Sequence, residues 1–88
     1  PTLAYAHGDA DWIRQQNLKN EIGELCCGEH DCTRLNDGDV SEVKNGFYIK
    51  SKTEIVPELK TLFKSNNGYW YCQWGGVRKC FIAPSRGF

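Results

Sequence analysis

The chain has 88 residues, eleven Lys plus Arg against eleven Asp plus Glu, five cysteines and no methionine. That is one small domain with a thin core, burying only about two thirds of its unfolded surface. The balanced charge and the lack of a basic run exclude a phosphate-gathering nucleic-acid groove. No apolar segment approaches the roughly 18 residues of a spanning helix.

The opening "PTLAYA" reads as the remnant of a secretory signal, residues 1–6, with Ala4 and Ala6 where a signal peptidase inspects the chain. The mature protein would then begin at His7, and residues 7–88 would form a single disulfide-stapled domain. "DADWIRQQN" is the best helical candidate, with Asp9 or Asp11 as its cap and Asn17 placed to end it. A second helical turn is expected from about Asn20 to Leu25, stopped by Gly28 after it delivers the chain into Cys26 and Cys27.

From Val40 the hydrophobic period changes to two. "VSEVKNGFYIK" predicts a hairpin turning at Asn45-Gly46, since both residues tolerate positive φ. A second turn at Ser51-Lys52 returns Thr53 to Val56 beside Phe47 to Lys50, and Pro57 closes that strand. "ELKTLFKSNNG" fits either a helical turn or an edge segment before a turn at Asn66 to Gly68.

The last hairpin is the clearest, with "YWYCQW" and "RKCFIA" flanking a three-residue loop of Gly75, Gly76 and Val77. Cys72 then lies opposite Cys80, on a face with Trp70, Trp74, Arg78 and Ile82. Tyr69, Tyr71, Lys79 and Phe81 take the other face. The tail "APSRGF" should leave the sheet. The expected fold is α+β: a short N-terminal helical region packed on an antiparallel β-meander of about five strands, stapled by disulfides.

Three chemistries compete for "CCGEHDC", residues 26–32. Cys26, Cys27, His30 and Cys32 are the ligand types of a structural zinc site, yet adjacent cysteines lack the C-x(2-4)-C pairing that points two thiolates inward. A redox-active thiol would have no C-x-x-C, and the nearby carboxylates raise a thiol's pKa, leaving His30 as the only local base. Structural disulfides need less. Bridges from the cluster to Cys72 and Cys80 would close loops of roughly 40 to 50 residues and contribute about 3 to 4 kcal/mol each.

Two bridges among Cys26, Cys27, Cys32, Cys72 and Cys80 can be drawn in fifteen ways. Either Cys72 bridges Cys80, or both meet the cluster, and at least one cluster-to-hairpin bridge is expected because it ties the ends of the domain together. The odd cysteine would be a buried thiol, an intermolecular bridge or the partner of a small thiol. His7 at a cut N-terminus could chelate copper with a second histidine, but nothing places His30 nearby. Tyr69 and Tyr71 could form a ligand-binding surface, against the simpler reading that the aromatic run packs the core.

"DWIRQQNLKNEIGELCCGEHDC" with "GYWYCQWGGVRKCFIAP" resembles a family of small, uncharacterised exported bacterial proteins patterned DWIR, ELCCGExDC, YWxC and CFxAP. The resemblance spans most of residues 9–84. It implies export and selects Cys26, Cys27, Cys32, Cys72 and Cys80 as the family's cysteines, with His30 at a variable position. The family's proline-rich ending is reduced here to Pro84, and the middle of the chain does not match.

Together these readings predict a non-enzymatic binding or interaction module of the bacterial cell envelope, periplasmic or secreted, with no cofactor. Its partner would be a protein or another envelope ligand, without nucleic acid or a membrane span. It would be a monomer, or a dimer linked through the odd cysteine. The alternative is a zinc or copper protein using the Cys26 to Cys32 cluster.

Overall fold

The computed structural model describes residues 11–26 and 31–85. A helix α1 (Asp11–Gln15) is followed by strands β1 (Asp31–Arg34), β2 (Val40–Val43), β3 (Gly46–Ile49), β4 (Glu54–Pro57), β5 (Thr61–Ser65), β6 (Trp70–Trp74) and β7 (Val77–Pro84). The strands form two sheets, ordered β1-β6-β7-β5 and β2-β3-β4. The protein is therefore mainly β, and an α+β description overstates its helical part.

Helix α1 is a five-residue turn ended by Asn17 at φ 53°, a left-handed position that asparagine tolerates. The second helical turn expected over 20–25 does not form. Asn20 Oδ1 instead accepts the N–H groups of Ile22 and Glu24, at 3.1 and 2.9 Å. This side chain substitutes for a helical ladder and folds the segment into a tight loop closed by a Lys19–Leu25 bridge.

The central meander β2-β3-β4 is present, with Phe47 opposite Val56 and Tyr48 opposite Ile55. Its first turn is displaced by one residue. Val43 pairs with Gly46, so Lys44 and Asn45 make the turn, with Asn45 at φ 62°. Gly46 belongs to the strand: a Cβ there would lie 2.5 Å from the Val56 carbonyl oxygen. Glycine is needed for this close approach of β4, not for the turn.

One antiparallel meander does not account for the larger sheet. β5 lies parallel to β7 on the side away from β6. β1, starting within the cysteine stretch, forms the opposite edge with Cys32 directly across from Cys72.

In the β6–β7 hairpin Cys72 does face Cys80. The loop is shorter than expected, since Gly75 and Gly76 alone turn the chain, at φ 61° and 77°. A bulge follows, so Gln73 faces Arg78 while Trp74 faces Val77. That one residue exchanges the faces of Arg78 and Lys79: Arg78 joins Tyr71 near Glu54, and Lys79 meets Glu24 at 3.2 Å. Trp74 is exposed. β7 also continues through Ala83 and Pro84 rather than leaving the sheet there.

The four-stranded sheet carries a core on each face. On one, Ile13, Cys26, Cys32, Trp70, Cys72, Cys80 and Ile82 cluster, with Trp12 and Leu18 packed against them. On the other, Tyr71, Phe81 and Ala83 meet Phe47, Ile49 and Val56 of the meander. Alternation along β6 and β7 thus assigns the sulfurs and Trp70 to one layer and Tyr71 and Phe81 to the other.

Candidate functional site

The cysteine stretch is joined to the terminal hairpin twice. Cys26 bridges Cys80 and Cys32 bridges Cys72, across 54 and 40 residues of sequence. Because Cys32, Cys72 and Cys80 occupy one row across β1, β6 and β7, the two bridges lie side by side. Four of the five cysteines are thereby consumed. Cys27 and His30 lie outside the described residues, as do His7 and residues 1–6.

The bridging has a consequence for metal chemistry. Zinc takes thiolates, and the sulfurs of Cys26 and Cys32 are bonded to other sulfurs. The set Cys26, Cys27, His30 and Cys32 cannot assemble in this oxidised form. Among the described residues no group of three or more His, Cys, Asp or Glu side chains is arranged to hold a metal ion.

On the opposite face, Tyr71 and Tyr69 part company. Tyr71 is 5 % exposed, and its hydroxyl is taken up inside the protein. Its hydroxyl donates to Glu54 Oε1 at 2.6 Å, Arg78 donates to Glu54 Oε2, and the Lys52 ammonium sits 4.8 Å from the ring centroid. The β6–β7 bulge brings Arg78 into this group, which joins the larger sheet to the meander through satisfied polar contacts.

Burial, together with the carboxylate of Glu54, pushes the Tyr71 hydroxyl well above its ordinary value of 10.0, against a smaller opposing effect of Arg78. A folded-state pKa above the unfolded one stabilises the protein fully below pH about 10, and this contribution is lost as the pH rises further. Denaturant midpoints measured from pH 8 to 11 should therefore fall at the alkaline end. Tyr71→Phe should flatten that slope, and an equal slope in the variant would show that another group carries it.

Tyr69 is half-buried and lines a cleft of about 160 Å³ with Glu42, Phe47, Phe63, Ala83 and Pro84. The cleft opens on the seam between the sheets. Phe47 forms its base, with ring centroids 6.0 Å from Phe63, 5.8 Å from Tyr69 and 5.5 Å from Phe81. Tyr69 stacks on Phe81 at 5.9 Å with 10° between the ring planes. Packing against fully buried Phe81 holds these walls in place.

The volume limits what can enter. A dry cavity of about 150 Å³ holds one benzene, so this cleft has room for one ring-sized group, between aromatic rings with Glu42 also at its lining. Of its residues only Tyr69 is conspicuous in the sequence as a site candidate. Phe47 is legible as an inward position of its strand, whereas Phe63 and Pro84 join it through the parallel β5–β7 pairing. Comparison of the chain with family models, curated proteins and solved structures gives no match.

Proposed function

We propose that the protein is an exported, non-enzymatic binding module of the cell envelope, and that the seam cleft receives a ring-sized group presented by its ligand. The observation that carries this reading is the aromatic lining of Phe47, Phe63 and Tyr69 on the inter-sheet seam. Small-ligand sites are commonly lined by aromatic side chains with a few polar groups, and this cleft, smaller than a whole-ligand site, has room for one ring of a larger ligand. The polar group nearest to a catalytic constellation, Glu54 with Tyr71 and Arg78, is satisfied internally. It serves the joint between sheets better than proton transfer to a substrate.

Export is supported by the two bridges, which persist in oxidising compartments. Among the described residues no helix is long and apolar enough to cross a membrane. The resemblance to small exported bacterial proteins points the same way.

The test is an NMR titration of isotope-labelled protein with two ring probes, methyl glucoside and N-acetyl-tyrosine amide. At least one should shift the resonances of Phe47, Phe63 and Tyr69 saturably. Phe63→Ala should weaken that probe about tenfold, matching the roughly 1.5 kcal/mol that an aromatic contact can add. Shifts clustering elsewhere, or none with either probe, would overturn the assignment.

A further inference from the structure

The bend between β5 and β6 is fixed at three points on one residue. Asn67 donates its N–H to Ser65 Oγ at 3.0 Å, its carbonyl accepts from Arg34 Nε at 2.7 Å, and its Oδ1 accepts from Trp70 Nε1 at 3.2 Å. Ser65 and Trp70 are buried, so two of these anchors belong to the core. An indole nitrogen only donates, which sets the Asn67 amide with its oxygen toward Trp70 and its Nδ2 turned away. Asn67 itself is exposed, and among the described residues no acceptor meets that Nδ2.

Helix α1 brings a ring to the same place. Gln16 donates its N–H to the Trp12 carbonyl at 3.1 Å, so the two residues lie one helical turn apart on one side. Trp12 packs on the cysteine layer, edge-on to Trp70 at 5.8 Å. Together Trp12, Gln16, Asn66 and Asn67 line a cleft of about 210 Å³. Gln16, Asn66 and Asn67 are exposed and Trp12 is half-buried, so solvent reaches these walls. The Trp12 Nε1 is enclosed and has no partner among the described residues, so the ring presents carbon to the cleft and not its N–H.

Among the described residues this lining carries no charge: it is one indole wall and three primary amides, each able to donate and to accept. Matching chemistry in a ligand means neutral groups that also do both, set around an apolar face. A saccharide ring has hydroxyls at its rim and C–H bonds across its face. The cleft exceeds the about 150 Å³ that encloses benzene, which leaves room for a six-membered ring with its hydroxyls. We propose that this cleft, on the side of the four-stranded sheet opposite the seam, is a site for one neutral pyranose ring. Trp12 lies against the C–H face, Asn67 Nδ2 donates to one hydroxyl, and the Asn66 and Gln16 amides take its neighbours. The site shares no residue with the seam cleft and does not depend on it.

The experiment titrates the isotope-labelled full chain with N-acetylglucosamine and methyl glucoside, and with N-acetylglycine methylamide, a peptide amide without a sugar ring. The side-chain amide resonances of Gln16, Asn66 and Asn67 and the ring resonances of Trp12 are followed. At least one sugar should shift them saturably, while the peptide amide leaves them in place. Asn66→Ala, at an exposed position of the bend, should weaken that sugar about fivefold, the effect of one neutral hydrogen bond. Trp12→Leu should weaken it about tenfold, and Phe63→Ala, at the seam, should leave it unchanged. No saturable shift with either sugar, an equal response to the peptide amide, or an unchanged affinity in Asn66→Ala would overturn the proposal. Sugar shifts confined to Phe47, Phe63 and Tyr69 would also overturn it and leave the seam reading standing.

Discussion

Phe81→Ala is expected to remove about 3 to 5 kcal/mol of stability, the range for truncating a buried phenylalanine. Phe81 is fully buried, lies opposite Tyr71 on β6 and Thr61 on β5, and packs against Phe47 and Tyr69. It touches both layers of the seam. Its neighbours are held by ladders on two strands and cannot collapse into the space, so the cavity cost adds to the lost transfer energy. For a small domain of about 5 to 10 kcal/mol total stability, urea unfolding should lose roughly a third or more of its original midpoint. A loss below about 1.5 kcal/mol would mean that the seam repacks freely, and the rigid cleft would be untenable.

Gly46→Ala should cost about 3 kcal/mol, at the upper end of the usual overpacking range. The new Cβ would lie 2.5 Å from the Val56 carbonyl oxygen and 3.3 Å from Pro57 Cα, both backbone atoms. Rotamer changes cannot relieve such contacts. The strands must separate where Gly46 pairs with Pro57, beside the Glu58 N–H that donates to the Asn45 carbonyl at 2.9 Å. Gly38→Ala is the control, since nothing lies within 4 Å of its Cβ position. Equal midpoints for the two variants in urea would contradict the described β3–β4 approach.

The parts of the fold that could be read in advance rest on local periodicity. Alternation separated the cysteine layer from the tyrosine and phenylalanine layer, and turn chemistry placed the meander and the end of α1. The parts that could not are set by single residues or distant partners. One bulge beside Gly75-Gly76 reverses Arg78 and Lys79, and without it the Glu54–Tyr71–Arg78 joint would not form. The Asn20 side chain replaces a helical turn by a loop through two backbone contacts. β5 has no clear period of its own and takes its place from parallel pairing with β7.

The same partition explains the candidate site. Tyr69 stands out as aromatic, but whether an aromatic residue lines a cleft or fills a core depends on what the other sheet places above it. Tyr71, two residues on, meets Glu54 and is sealed, while Tyr69 borders the gap left between Phe47 and Phe63. Sequence alternation puts both on one face and cannot distinguish them. The staple on the opposite face then fixes the strands that carry these rings.

That staple is the central claim, and its connectivity can be measured directly. Cleavage without reduction by trypsin and a glutamyl protease, which cuts between Cys26 and Cys32 at Glu29, separates all four bridged cysteines for mass spectrometry. The structure predicts one linked species joining Cys26 to Cys80 and another joining Cys32 to Cys72. A Cys72–Cys80 species, or the crossed pair Cys26–Cys72 and Cys32–Cys80, would contradict it.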